Sequence, residues 1–123
     1  MRLAFALLLM LAAAPAWAEW IDVAQSVSAV VYMDPGTLTK EGNHRKAWVL
    51  YSFRKRADSG ELSARIYREF DCDRKRVRTL SISSFPEPMA GGALLSKNET
   101  PDEWQDVVPK SVNGIELDYA CSK

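Results

Sequence analysis

Ser63–Ser84 reads SARIYREFDCDRKRVRTLSISS, and the alternation inside it decides the architecture. Ala64, Ile66, Arg68, Phe70 and Cys72 fall on one face of an extended chain, and Ser63, Arg65, Tyr67, Glu69 and Asp71 on the other. That period of two is the mark of a strand. Asp71–Lys75 is a short charged reversal, after which Arg76–Phe85 runs back as a second strand. The stretch is an antiparallel pair with Cys72 at the end of its first member.

Working upstream, Arg54–Gly60 (RKRADSG) is a solvated turn ending in a Ser-Gly breaker, and Arg45–Arg54 (RKAWVLYSFR) is a third strand. Trp48, Leu50 and Ser52 point one way, and Val49, Tyr51 and Phe53 the other. Bulky residues on both faces place this strand in the middle of a sheet, with something packed on each side. Ser28–Asp34 (SAVVYMD) is a further strand, stopped at Asp34-Pro35-Gly36 because proline fixes its own φ and glycine accepts a positive one. Thr37–Asn43 reads as a polar loop. Glu19–Ala24, anchored by Trp20, starts as a brief strand or leans on the core.

Downstream, Pro86, Pro88 and Gly91-Gly92 break regular structure, and Pro86–Thr100 is expected to be a loop, long enough to be functional or mobile. Asp102–Pro109 is expected to form a short helical turn whose Trp104, Val107 and Val108 reach the core. Ser111–Ser122 supports two readings. Ser111 can cap a helix with Val112, Ile115 and Tyr119 on one stripe, yet Ile115, Leu117, Tyr119 and Cys121 also alternate as a strand would.

Met1–Ala18 has the parts of a secretory signal: Arg2, the apolar run Leu3–Ala14, and Ala16-Trp17-Ala18 as a cleavage site. The apolar run is too short to span a bilayer comfortably, which takes about 20 residues. Cleavage would leave residues 19–123 as a single domain with no membrane-spanning segment, exported and most simply periplasmic. An exported chain with two cysteines pairs them, since the compartment beyond the membrane is oxidising. A Cys72–Cys121 bond closes a loop of about 50 residues, worth near 4 kcal/mol on chain-entropy grounds.

The formal net charge is zero, which gives no general affinity for nucleic acid, but the charges are unevenly spread. Eleven basic residues face five acidic ones between Arg45 and Arg78, while six acidic residues face two lysines from Glu99 onward. Arg54, Lys55 and Arg56 form one basic cluster and Arg74, Lys75 and Arg76 another, at opposite ends of a meander. Arg65 and Tyr67, on one strand face, would link them into a stripe able to meet a protein or an anionic glycan. Exposed members of the set Trp48, Tyr51, Phe53 and Tyr67 would mark a partner surface on the side a helix leaves open. His44 is the single histidine and lies in a polar stretch; any Ser–His–Asp or Cys–His catalyst would have to use it. Asp71 and Asp73 could be imagined as paired carboxylates, but Arg74, Lys75 and Arg76 stand beside them and read as neutralising partners. No metal-ligand spacing and no phosphate loop is visible, so no catalytic residue, metal or cofactor is expected.

Several features in order resemble the surface-adhesin protein E family of small exported bacterial proteins. They are Tyr32-Met33-Asp34 at a strand end, the aromatic strand around Trp48 and Phe53, Glu69-Phe70-Asp71-Cys72, then Trp104, Val107-Val108-Pro109, Ser111 and Cys121. The resemblance spans about Trp20 to Cys121. It implies an α+β fold: an antiparallel sheet of about five or six strands with a C-terminal helix held to it by the disulfide, which decides Ser111–Ser122 for helix. It also implies a non-enzymatic binding protein, since the family's namesake is an adhesin for host matrix and serum proteins and can dimerise. No cysteine for lipid attachment lies near the cleavage site. The alternative is an inhibitor or accessory subunit docking on an envelope enzyme or assembly through the 86–100 loop, whose deletion would then leave the fold intact. An enzyme of another type would lose its activity on alanine replacement of His44 and Asp71.

Overall fold

The computed structural model describes residues 19–123, so the expected signal segment Met1–Ala18 lies outside the described residues. Eight strands and one helix follow in order: β1 Ile21–Gln25, β2 Ala29–Met33, β3 Thr39–Glu41, β4 His44–Phe53, β5 Ser63–Asp71, β6 Arg76–Phe85, β7 Ser96–Asn98, β8 Gln105–Asp106 and α1 Val112–Cys121. They form one antiparallel sheet in the order β1-β2-β4-β5-β6-β7, with β3 added to β4 and β8 to β6. The expected five or six strands are this six-strand path. The remaining two are short: β3 lies inside the Thr37–Asn43 stretch read as loop, and β8 replaces the helical turn expected at Asp102–Pro109. The Pro86–Thr100 stretch also holds a 3-10 turn at Pro88–Ala90 and then β7. Such short edge pieces have too few residues to show a period.

The β4–β5–β6 meander is the body of the sheet, and its two faces differ. Residues directly opposite one another across an antiparallel pair share a face. The register places Val49 opposite Ile66, Tyr51 opposite Ala64 and Ala47 opposite Arg68. Of these, Ala47, Val49 and the half-buried Tyr51, with Val31, Met33, Phe70 and Val77, meet α1 through Leu117 and Ala120 to make the core, while Ala64 and Ile66 are buried on the same face beside it. One residue of β6 is extra opposite Tyr67/Arg68, a bulge that keeps both halves of the hairpin in phase with their faces.

Helix α1 settles the ambiguous C-terminal segment. Ser111 caps it, its hydroxyl accepting from the Gly114 N–H. The buried positions are Gly114, Glu116, Leu117 and Ala120. Of the expected Val112–Ile115–Tyr119 stripe, Val112 and Tyr119 pack at the margin of the core and Ile115 is exposed, so the inward side is centred about one position away from the one expected. The cause is Gly114. An added Cβ there would lie 2.7 Å from the Val108 carbonyl oxygen, and the close approach of α1 to residues 108–109 turns that side of the helix inward. Gly114→Ala should therefore destabilise: overpacking costs about 1–3 kcal/mol against about 1 kcal/mol gained in helix propensity. A lower urea midpoint with unchanged slope is the expected result.

Cys72, just beyond β5, is bonded to Cys121 at the end of α1, 49 residues later. The bond fastens the last residue of the helix to the β5–β6 turn, as expected from two cysteines in an exported chain.

Among the described residues the opposite face carries no α-helix. Its upper end is covered by the Pro88–Ala90 turn, which packs on β4 and β5. Ser63, fully buried, donates to Glu87 O at 2.6 Å and accepts from Ala90 N–H at 2.9 Å. Met89 and Ala90 both have positive φ, a conformation costly to residues with a Cβ; the Ser63 hydroxyl is one of the contacts that hold it. Leu50, on this face, is also fully buried.

Candidate binding face

Each functional side chain on the helix-free face is placed by strand register. Leu50, Trp48, Lys46 and His44 of β4 stand opposite Arg65, Tyr67, Glu69 and Asp71 of β5. These in turn stand opposite Ser83, Ser81, Arg78 and Arg76 of β6. The result is a set of rows crossing three strands, with aromatic and basic residues in the middle.

At its centre the Trp48 and Tyr67 rings stack, centroids 4.8 Å apart and planes 23° from parallel. The Arg65 guanidinium carbon lies 3.9 Å from a Trp48 ring centroid, a cation–π contact. All three side chains are half-buried. Towards the β5–β6 turn the face becomes an ion network. Glu69 and Asp71 are buried. His44 Nδ1 donates to Glu69 at 3.0 Å and its Nε2 lies 3.8 Å from Asp71. Arg78 reaches Glu69 at 2.6 Å, and Arg76 reaches Asp71 at 3.3 Å. Trp104 lies over both guanidiniums, at 5.2 Å from Arg76 and 4.7 Å from Arg78, and meets His44 edge-on at 5.6 Å.

This network controls the two carboxyl groups. Burial pushes Glu69 up, but hydrogen bonds from His44 and Arg78 outweigh it and hold the group below its ordinary value. Asp71 is held low first by the Arg74 backbone N–H, then, against some burial, by Arg76 and His44. A shallow depression of about 440 Å³ opens beside it, lined by Gly42, His44, Asp71, Asp73, Arg74 and Arg76. His44 and Asp71 are held in this hydrogen-bonded network, and of the basic residues expected to neutralise the turn carboxylates only Arg76 pairs with Asp71, while Arg74 contributes its backbone N–H. Among the described residues there is no group of three or more His, Cys, Asp or Glu side chains able to hold a metal.

The expected partner residues are not all brought together. Arg65 and Tyr67 sit at the centre of the open face. Arg76 sits on the same face, paired to Asp71. Arg54, Lys55 and Arg56 are exposed at the far end, where Arg54 donates to Ser26 O and Arg56 to the Gly60 and Pro86 carbonyls. Arg74 and Lys75 are exposed in the β5–β6 turn. The two clusters thus lie at opposite ends of the sheet, and the stripe between them runs through Arg65, Tyr67 and Arg76. Lys46 and Arg78 belong to the stripe and were not legible as members, because only the β4–β5–β6 register puts them there. Trp104 was expected in the core and instead lies on the arginines of the open face; Val107 does pack on the core, while Val108 is 68% exposed. The two residues of β8, paired with Arg76 and Val77, carry Trp104 past the edge of β6 and onto this side.

The class defined by these features is a small disulfide-linked sheet-and-helix module that presents an aromatic and basic face. No curated protein matches the chain. The chain belongs to the Surface-adhesin protein E family, whose model matches residues 20–122, and it is thereby a binding protein of the adhesin type. Solved structures carry the same fold. Protein E of Haemophilus influenzae in crystal form II superposes with a TM-score of 0.67 at 12% identity, covering 84% of this chain and 87% of that one. A second structure of it gives 0.66 at 12% identity, with 84% and 83% covered. Protein E from non-typeable Haemophilus influenzae gives 0.59 at 13%, with 84% and 72% covered. No helix among the described residues is long and apolar enough to cross a membrane.

Proposed function

We propose that this protein is an exported, non-enzymatic adhesin-type binder. In this reading Met1–Ala18 is removed on export, the mature chain passes from the periplasm to the cell surface or the medium, and the partner docks on the helix-free face of the sheet. One observation carries the docking site: the Arg65–Trp48–Tyr67 stack stands half-exposed at the centre of the face. Aromatic and arginine anchors at the middle of a patch are the residues that carry most interface energy.

The test is attachment of protein-coated beads to epithelial monolayers. Tyr67→Ala should lower attachment about tenfold, the scale of a single interface anchor, and Lys55→Ala at the far end should leave it unchanged. Equal attachment by both variants would overturn the reading. The alternative, docking on an envelope assembly through the 86–100 loop, is less well supported. Pro88–Ala90 packs on β4 and β5 and is hydrogen-bonded to buried Ser63, so deleting the loop would expose the sheet rather than leave the fold intact.

A further inference from the structure

Three arginines of the open face lie over tryptophans, and they differ in one respect. Arg76 and Arg78, over Trp104, direct their donors at Asp71 and Glu69. Arg65, over Trp48, makes no side-chain hydrogen bond and no ion pair among the described residues. Stacking uses the face of a guanidinium and leaves the N–H edges free in its plane. Arg65 is therefore a positioned fork whose donors have no protein acceptor.

We propose that Arg65 takes a sulfate group of a linear sulfated polysaccharide lying across the open face. This deepens the docking reading above and rests on it. The surroundings fit that ligand class. Across β6 from Arg65 stand Ser83 and then Lys97 of β7, and Ser81 stands opposite Tyr67. Four residues along β4 from the Arg65 row, roughly 13 Å at strand rise, is Lys46, which makes no ion pair among the described residues. Among the described residues Arg65 has no carboxylate partner, and Lys46, opposite Glu69 in the register, lies beyond ion-pair distance of it. With the serine and tyrosine hydroxyls between them they complement a polymer that carries hydroxyls and spaced anions. What favours a polar polymer over a protein is the surround of the stack: Ser81, Ser83, Lys46 and Lys97 are of the residue types depleted from protein–protein interfaces, and the exposed leucines Leu94 and Leu95 belong to the loop beyond Ser84. Lys97 is itself paired with Glu99 at 2.9 Å and acts as a secondary contact.

The experiment measures affinity for a heparin dodecasaccharide by calorimetry, with the same fragment after desulfation and a single-stranded DNA of equal charge as comparisons. Arg65→Ala should weaken heparin binding about ten- to hundredfold, the worth of hydrogen bonds to a charged group. Arg65→Lys should fall between the two, because it keeps the charge and loses the fork. Ser83→Asp leaves Arg65 and Trp48 in place and offers the fork a carboxylate; it should also lose at least tenfold, which separates site blockade from any unfolding in Arg65→Ala. Arg54→Ala, with the same change of net charge, should stay within twofold. Equal losses in Arg54→Ala and Arg65→Ala, undiminished binding of the desulfated fragment, or equal affinity for the DNA would each overturn the proposal. Absence of heparin binding with Tyr67-dependent cell attachment intact would reject the polysaccharide and keep the docking face. Loss of that dependence would reject both.

Discussion

Arg68→Met should be among the most destabilising single substitutions in the chain, costing about 3–5 kcal/mol at neutral pH, the usual result of stripping a buried charge of its partner. Glu116 of α1 is completely buried, and its Oε1 lies 3.4 Å from Nε of Arg68, itself 12% exposed. The Tyr51 hydroxyl donates to the other Glu116 oxygen at 2.5 Å, and Arg68 also reaches the Tyr51 hydroxyl and Asn113. Three polar side chains from β4, β5 and α1 thus meet inside the helix–sheet interface. Burial pushes the Glu116 carboxyl up, and Arg68 and the Tyr51 hydrogen bond only partly oppose it. Burial likewise raises the Tyr51 hydroxyl, and the Glu116 charge raises it further.

The pH dependence follows from the sign. A carboxyl raised on folding binds its proton more tightly in the folded chain, so its contribution is most favourable below the ordinary glutamate range and is lost as pH rises through the folded value. Without Arg68 the carboxyl rises further. The penalty of Arg68→Met should therefore shrink when urea unfolding is repeated near pH 4, where Glu116 is neutral. Glu69 and Asp71 work in the opposite sense. Both are lowered on folding, so the stability they add is present above the ordinary carboxylate range and is lost on acidification. They are common to both proteins and cancel in the difference. A penalty that is constant between pH 7 and pH 4 would show that Glu116 is not the group left uncompensated.

Replacing both cysteines by serine should lower the melting temperature by roughly 15–30 °C. A closed loop of about 50 residues is worth near 4 kcal/mol, and each kcal/mol shifts a domain of this size by about 4–8 °C. The bond joins the β5–β6 turn to the last residue of the helix, and the core beneath α1 rests on few helix residues, Leu117 and Ala120 foremost. The helix also places Glu116 over Arg68, so looser docking would open the polar cluster as well. Calorimetry of the oxidised wild-type and the double-serine protein decides the point. A drop below about 5 °C would mean that packing alone holds α1, contrary to the chain-entropy argument.

Much of the fold could be read from particular residues. The alternation from Ser63 to Asp71, the charged reversal and the return strand are all as expected, as is the division of β4 between Trp48-Leu50-Ser52 and Val49-Tyr51-Phe53. Ser111 is the helix cap. The candidate site was legible in part. Arg65 and Tyr67 were identifiable on one face of β5, but their neighbour Trp48 was not assignable to them. Nine residues connect β4 to β5, too many for a turn type to set the register. Side-chain packing across the sheet sets it instead, and a shift of one residue would send Trp48 to the other face. Trp104 was misplaced because an aromatic residue beside valines suits a core and an arginine platform equally well.

Local periodicity, turn chemistry and two cysteines in an exported chain were enough to establish the meander, its reversals and the disulfide, because each depends on residues close in sequence or on a pairing with no alternative. The tertiary structure alone decided three matters: which side of α1 is buried, that Arg68, Tyr51 and Glu116 meet inside the core, and that Arg65 stacks on Trp48 without a carboxylate. All three depend on distances between elements, set by the close approach Gly114 permits and by strand register. A linear pattern of apolar and charged residues holds neither.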